Sequence, residues 1–176
     1  MPQWCFAWLA EIIGSKYLIR VGVGYDVHAF SIGGILVLGG VQIEHDKGLV
    51  GHSDGDALIH AIIDSILGAA GLGDIGIHFP PDSPLFEGIA STALLKKVKE
   101  KVESEGYGTV FVDATIIAEN PRMTPYISAM KKNLALIIGI NSESINIKAT
   151  TTDGLGFIGR EEGIACLAIS TLEELK

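Results

Sequence analysis

The chain has 176 residues, carries a formal net charge of −8 and is 48% hydrophobic, which suits one compact domain with a sizeable core. The acidic balance argues against a partner bound through a cationic surface, so we expect neither nucleic acid nor membrane as a partner. Two cysteines, Cys5 and Cys166, are too few for a disulfide framework and favour a reducing, cytoplasmic location.

The first residues do not follow the pattern of a targeting segment. An apolar run from Trp4 to Ala10 has no basic region before it and is too short to span a bilayer. We therefore predict an N-terminal extension of unassigned role over residues 1–17, followed by a single domain over residues 18–176.

Segments of strand and helix character then alternate irregularly along the chain. An apolar, β-branched run predicts a strand over 17–27, and two short apolar runs flanking Gly39 and Gly40 predict a hairpin over 35–43. Apolar periodicity ending at glycine predicts three helices. They cover about 54–70, 90–105 and 124–139, and further strands are predicted over 109–118, 145–150 and 164–170. This order predicts an α+β fold with helices packed on one face of a mixed β-sheet.

Acidic and imidazole side chains recur at spacings that suit a metal ion. Asp26 and His28 are two residues apart at the end of a strand and therefore point to one face. On the following helix, Asp56, His60 and Asp64 form a polar stripe. Considered alone, each residue has a simpler structural explanation: His60 as a hydrogen-bonded histidine of the core, and Asp26 as the cap of a loop. Together, one carboxylate and two imidazoles with an open fourth position are typical of catalytic zinc or a similar divalent ion.

Two further segments have groups that can hold phosphate. Residues 51–56 precede the helix, where free backbone N–H groups favour an anion, and His52 and Ser53 are candidates to bind it. Ser53 or Asp54 is also a candidate N-cap. The run 150–153, three threonines and an aspartate, leads into a glycine-rich loop and has the groups needed for a diphosphate and its Mg²⁺.

These segments resemble, in order and spacing, the motifs of the 2-C-methyl-D-erythritol 2,4-cyclodiphosphate synthase family. The matching pieces are GYDVHAF at 24–30, GHSDGDALIHA at 51–61, GDIGxHFP at 73–80, IIAENPRM at 116–123 and KATTTDGLGFIGRxEGIAC at 148–166. The resemblance covers about residues 19–172.

The resemblance implies a metal-dependent, cyclising phosphorus–oxygen lyase of the non-mevalonate route of isoprenoid biosynthesis. Its substrate would be a nucleotide diphosphate, 4-diphosphocytidyl-2-C-methyl-D-erythritol 2-phosphate, whose 2-phosphate attacks the β-phosphorus and expels CMP. The family also implies a homotrimer with active sites between subunits. Zinc would be held by Asp26, His28 and His60, and Mg²⁺ or Mn²⁺ would bind the substrate diphosphate at Asp153.

The resemblance assigns roles to further residues. His52 and Thr151 match the positions that stabilise the transition state and also contact the substrate. The other implied substrate contacts are Asp26, His28, Ser53, Asp74, Ile75, Gly76, Phe79, Asp82, Ser83, Ala118, Pro121, Arg122, Met123, Thr124, Thr150, Thr152, Asp153, Phe157 and Arg160.

Three positions depart from the family pattern. Pro81 stands where a ribose-binding carboxylate is expected, with Asp82 as its candidate replacement one position away, and Glu87 replaces a lysine. Asp153 replaces a glutamate but keeps a hard oxygen ligand. We interpret these substitutions as changes that adjust how the chain binds the nucleotide.

Two other functions compete with this interpretation. A trimer that binds isoprenoid diphosphates as a sensor or carrier is supported only by the changed nucleotide loop. A generic metallophosphatase would need an activated water and a second cluster of carboxylates and histidines, which the sequence does not offer.

Overall fold

A five-stranded sheet dominates the computed structural model, which describes residues 19–51, 53–80, 83, 86 and 88–175. Its strands stand in the order β4-β1-β7-β5-β6, and β5 and β6 are parallel while the other pairs are antiparallel. The strands are β1 (Arg20–Ile32), β4 (Lys47–Leu49), β5 (Tyr107–Ile117), β6 (Ile145–Thr150) and β7 (Gly163–Glu174). A separate hairpin consists of β2 (Leu36–Leu38) and β3 (Val41–Ile43).

The helices lie between the strands along the chain. They are α1 (Ala57–Ala70), α2 (Ile75–His78), α3 (Ser91–Ser104), α4 (Ile127–Ile138) and α5 (Gly156–Gly159), with a 3₁₀ turn at Ser142–Ser144. α1 is buried on nearly every side because it lies between the sheet strands β1 and β7 and the helix α3. Among the described residues, none of these helices combines the length and apolarity needed to cross a membrane.

The predicted α+β class and mixed sheet are confirmed, as is the hairpin turning at Gly39 and Gly40. The three long helices lie within a few residues of their predicted positions. The strand β1 continues to Ile32, beyond its predicted end at Val27, because its pairing with β7 up to Ala29 and with β4 from Phe30 extends the strand. The sequence did not predict β4, α2 or α5, since such short segments carry little periodicity. The predicted extension over 1–17 lies outside the described residues.

Two glycines in β1 allow α1 to pack directly on the strand. A Cβ added at Gly22 would lie 2.1 Å from the carbonyl oxygen of Ser65, and one added at Gly24 would lie 2.0 Å from that of Ala61. Both distances are far below van der Waals contact, so any side chain there would push the helix away. This close approach brings the helix residue His60 to the strand that carries Asp26.

The two faces of the sheet have different surroundings. Because side chains alternate along a strand, the even-numbered positions of β1, which include Asp26, point to the helices. The odd-numbered Val21 and Val23, each 64% exposed, point to the open face. Pairing across the sheet aligns Ala149, not Thr150, with the helix-facing row that contains Asp26. Thr150 therefore points to the open face, opposite to Asp26.

Candidate metal centre and two cavities

Three side chains converge where β1 meets α1. Oδ2 of Asp26 lies 2.9 Å from Nε2 of His28 and 3.1 Å from Nδ1 of His60, and these two nitrogens are 3.1 Å apart. All three residues are partly buried. The strand places Asp26 and His28 on one face, and α1 presents His60 to them from one turn inside its N-terminus.

The three donor atoms fit a divalent metal ion. A tetrahedral ion with bonds of about 2.0–2.1 Å separates its ligand atoms by roughly 3.3 Å, close to the separations seen here. One carboxylate oxygen and two imidazole nitrogens are ligands that suit zinc and similar divalent ions. His28 and His60 also line a cavity, so an ion bound between them would border that cavity.

The charges of the cluster favour occupation by a cation. Burial alone would raise the pKa of Asp26, but hydrogen bonds with His28 and His60 outweigh this effect and hold that pKa well below its ordinary value. Burial would lower the pKa of His28, yet its hydrogen bond with Asp26 raises that pKa above the ordinary value. The anionic Asp26 thus draws positive charge to the centre, either as a proton on His28 or as a metal ion.

The first cavity has a volume of about 200 Å³ and is largely apolar. Its lining consists of His28, Ser53, His60, Ile75, Gly76, Phe79, Phe86, Ile89 and Leu94. α2 forms one wall, and Asp64 of α1 holds it by accepting a hydrogen bond from the backbone N–H of Ile75 at 2.8 Å. Asp74 caps α2 through Ile77 N–H at 3.0 Å, and Phe79 packs edge-on against Phe86.

The second cavity has a volume of about 400 Å³ and lies between the segment after β5 and the end of β6. Its lining consists of Ala118, Glu119, Pro121, Arg122, Met123, Thr124, Ala149, Thr150 and Thr151. The two cavities share none of these residues. Many of the substrate contacts predicted from the sequence are therefore divided, within one chain, between two separate cavities.

Glu119 fixes the loop that follows β6. One of its carboxylate oxygens accepts hydrogen bonds from Thr152 N–H at 2.9 Å, Thr152 Oγ1 at 3.0 Å and Gly154 N–H at 3.2 Å. These bonds lower the pKa of Glu119. On the same loop, Thr151 Oγ1 donates to Asp153, whose φ of 53° lies in the left-handed region. The sequence did not predict this role of Glu119, although the residue lies inside a predicted substrate segment.

The remaining predicted contacts have other surroundings. Ser83 N–H donates to the carbonyl of Pro80 at 3.0 Å, and Phe157 on α5 is 40% exposed. The guanidinium of Arg160 forms two hydrogen bonds with Glu162, at 2.8 and 3.2 Å. His52 and Asp82, together with Pro81 and Glu87, lie outside the described residues.

The prediction that Ser53 or Asp54 caps α1 is wrong. Asp56 is the N-cap: its Oδ1 accepts from Ile59 N–H at 3.0 Å and from Gly39 N–H at 2.9 Å. Its Oδ2 accepts from Gly40 N–H at 2.7 Å, and the residue is completely buried. Asp56 therefore joins α1 to the β2–β3 turn and does not extend the polar stripe towards the metal centre.

Residues 19–173 match the model of the YgbB family. The 2-C-methyl-D-erythritol 2,4-cyclodiphosphate synthase of Thioalkalivibrio sulfidiphilus is 56% identical over 155 residues, which cover 88% of this chain and 97% of that relative. The enzyme of the same name from Desulforamulus reducens is 52% identical over 156 residues, 89% of this chain and 99% of the relative.

Solved structures show the same fold. The bifunctional IspDF from Campylobacter jejuni is 42% identical with a TM-score of 0.88, and the match covers 92% of this chain but 44% of that protein, so the chain spans less than half of it. IspF from Plasmodium falciparum, solved as a CDP complex, is 33% identical with a TM-score of 0.79, covering 92% of this chain and all of that one.

Proposed function

Since the chain belongs to the YgbB family, we propose that it forms 2-C-methyl-D-erythritol 2,4-cyclodiphosphate from 4-diphosphocytidyl-2-C-methyl-D-erythritol 2-phosphate and releases CMP. Relatives that bear the name of this activity are 52–56% identical over nearly their whole length. The activity is that of a cyclising phosphorus–oxygen lyase in isoprenoid biosynthesis by the non-mevalonate route. A cytoplasmic location suits such a biosynthetic enzyme.

The observation that carries the proposal is the position of the metal centre beside the first cavity. Asp26, His28 and His60 have their donor atoms within 3.1 Å of one another, and two of these residues also line the cavity. The other walls are apolar apart from the hydroxyl of Ser53. A phosphate beside the metal centre and a short branched carbon chain in the cavity would match this combination.

The reaction requires positioning and charge neutralisation more than proton transfer. An oxygen of the 2-phosphate is already anionic, so it attacks the β-phosphorus without a base, and the bond from the β-phosphorus to the oxygen of CMP breaks. A divalent ion at the centre would supply a Lewis acid for a phosphate oxygen. Ser53 would orient the substrate at the first cavity, while His52 and Thr151 would stabilise the transition state.

We assign zinc to the centre formed by Asp26, His28 and His60, in keeping with its mixed oxygen and nitrogen donors. We assign Mg²⁺ or Mn²⁺ to the substrate diphosphate at Asp153. The exposed carboxylate of Asp153, next to the hydroxyl of Thr151, supports this second assignment because hard divalent ions prefer oxygen ligands.

A homotrimer with active sites between subunits would unite the two cavities. Two features of the single chain support it: Asp26 and Thr150 point to opposite faces of the sheet, and the open face carries several large, exposed apolar side chains. Tyr25, Phe111, Leu167 and Ile169 join Val21 and Val23 on that face. A neighbouring copy packed there could bring its threonine loop, residues 150–153 at the end of β6, to the metal centre of the first chain.

The test is ³¹P NMR of the purified protein with the cytidyl substrate, Zn²⁺ and Mg²⁺. We expect CMP and a cyclic diphosphate to accumulate together. Binding of the substrate without either product would contradict the proposal and favour the isoprenoid diphosphate sensor. Light scattering tests the assembly separately, since a trimer should have three times the chain mass of 18.6 kDa.

A further inference from the structure

Ser91 connects the metal centre to a carboxylate outside it. This serine begins α3, is completely buried, and its Oγ lies 2.9 Å from Nε2 of His60, the ring nitrogen that faces away from Asp26. The same oxygen forms a short hydrogen bond with Oδ1 of Asp54. A continuous row of contacts therefore runs from Asp54 through Ser91 and His60 to Asp26.

The chemistry of the groups fixes the direction of these bonds. A hydroxyl has one hydrogen and can donate only one bond, while a carboxylate oxygen can only accept. The hydrogen of Ser91 is therefore directed to Asp54, and Ser91 can only accept from His60. This leaves the proton of the neutral imidazole on Nε2 and a free lone pair on Nδ1.

Asp26 favours the opposite arrangement when no metal is bound. Its Oδ2 lies 3.1 Å from Nδ1 of His60 and would attract the imidazole proton to that nitrogen. A proton on Nδ1 occupies the lone pair that a metal ion needs. The two carboxylates, Asp26 and Asp54, thus compete for one proton across the same ring.

The backbone holds Asp54 in place for this role. Its Oδ2 accepts from the backbone N–H of Ser91 at 3.0 Å, and its Oδ1 accepts from the N–H of Asp56 at 3.3 Å. α3 has no side-chain cap from its own N-cap residue, Ala90, so Asp54 supplies a partner for the first N–H of the helix. For His28 a backbone group fixes the position of the proton: Nδ1 donates to the carbonyl of Val50, which leaves Nε2 free for the metal.

We propose that Asp54 and Ser91 are positioning residues that keep His60 in the tautomer with hydrogen on Nε2 and so prepare Nδ1 for the metal ion. The inference rests on the proposed function only in requiring that a divalent ion binds the triad. Ser53 Oγ also lies 3.0 Å from Nε2 of His60, but among the described residues it has no carboxylate partner to orient its hydrogen. Ser53 therefore stays available to the substrate.

The test measures Zn²⁺ affinity directly, by titrating the zinc-loaded full chain with a chromophoric chelator. We expect Ser91→Ala and Asp54→Asn each to weaken Zn²⁺ binding by about 10–100-fold, the range for a lost hydrogen-bond partner of a metal-bound histidine. Ser53→Ala is the matched control, because it deletes the same group at nearly the same distance from Nε2, and its affinity should stay within about threefold of the wild type. The double variant Ser91→Ala/Asp54→Asn should bind Zn²⁺ no more weakly than the single variant with the lower affinity, since both substitutions act through one contact.

A second readout separates this role from a general loss of structure. In ¹H–¹⁵N spectra of the zinc-loaded protein, the proton on His60 Nε2 should be resolved, because it is bound to a buried oxygen, and it should broaden by exchange in Ser91→Ala. A folded Ser91→Ala protein with wild-type Zn²⁺ affinity would overturn the inference, as would an equal loss in Ser53→Ala. If the wild type itself bound no Zn²⁺, the metal assignment would fail instead, and the product assay would report on the reaction independently.

Discussion

At the level of single residues, His60 has the most demanding position of the candidate ligands. Its imidazole contacts Asp26 and His28 through Nδ1 and two serines through Nε2, all from within a buried helix. A metal ion bound by three protein ligands loses about a third of its donor set when one is removed, and the remaining pair no longer defines a tetrahedral site.

We predict that His60→Ala abolishes stoichiometric zinc binding and reduces turnover by at least about a hundredfold. Metal content after dialysis, measured by atomic emission, and the rate of CMP release provide the measurements. His45→Ala is the control, because His45 packs against Phe30 and pairs with Asp46, outside the centre. Normal turnover by a zinc-free His60→Ala protein would refute the metal assignment.

Asp82 belongs to the segment whose sequence departs from the family pattern. If it replaces the ribose-binding carboxylate displaced by Pro81, its removal should affect binding of the nucleotide and leave the chemical step intact. We therefore predict that Asp82→Ala mainly raises KM for the cytidyl substrate, with kcat within about threefold of the wild type. Steady-state kinetics of CMP release measure both constants, and a fall in kcat alone would contradict the assignment.

At the level of elements, the packing of α1 on β1 controls the geometry of the centre. Gly24→Ala would place a methyl group 2.0 Å from the carbonyl oxygen of Ala61 and 2.7 Å from the backbone nitrogen of Ser65. Neither backbone atom can move without shifting the helix. We expect a loss of about 1–3 kcal/mol in the free energy of unfolding, measured by chemical denaturation, together with weaker zinc binding.

Gly68→Ala is the matched control for that interface. It adds the same methyl group from the helix side, where the nearest atom, the carbonyl oxygen of Val23, would be 3.9 Å away. Because alanine favours a helix interior over glycine, the free energy of unfolding should rise by up to about 1 kcal/mol. Equal destabilisation by both variants would show that close approach at Gly24 is not the controlling feature.

The conformation of the threonine loop depends on a single carboxylate, that of Glu119. Glu119→Ala removes the acceptor for Thr152 and Gly154, so we predict that CDP binds about tenfold more weakly, as measured by calorimetry. Glu119→Gln keeps an oxygen acceptor and should retain most of the affinity. The pKa of Glu119 is lowered in the fold, so the support given by its carboxylate is present above the ordinary glutamate pKa and is lost as the pH falls through the lowered value. An affinity unchanged in Glu119→Ala would contradict this role.

Several elements could be predicted from the sequence because their signals are local. The turn at Gly39 and Gly40 needs residues tolerant of positive φ, and the apolar period of α1 and α3 extends over several turns. The roles of Gly24 and Glu119 could not be predicted, since each depends on which distant backbone atom approaches it. The same reason explains the wrong N-cap: the turn that binds Asp56 lies 16 and 17 residues away.

At the level of the whole molecule, the open face of the sheet leaves large apolar side chains uncovered. We predict that Val23→Lys, on this face, prevents assembly of the proposed trimer and abolishes CMP release, because a charge would have to be buried between subunits. Light scattering and the product assay measure the two effects. Leu136→Lys is the control, since Leu136 is 82% exposed on α4, and a trimer that survives Val23→Lys would refute packing through this face.

The strand order has a consequence for synthesis on the ribosome. β7 lies in the centre of the sheet, between β1 and β5, yet it is the last strand to be translated among those described. Until it emerges, β1 with β4 and β5 with β6 share no strand pairing, and each pair has an unpaired strand edge. The sheet can therefore close only after β7 has been translated, and translation interrupted before β7 leaves strand edges prone to aggregation.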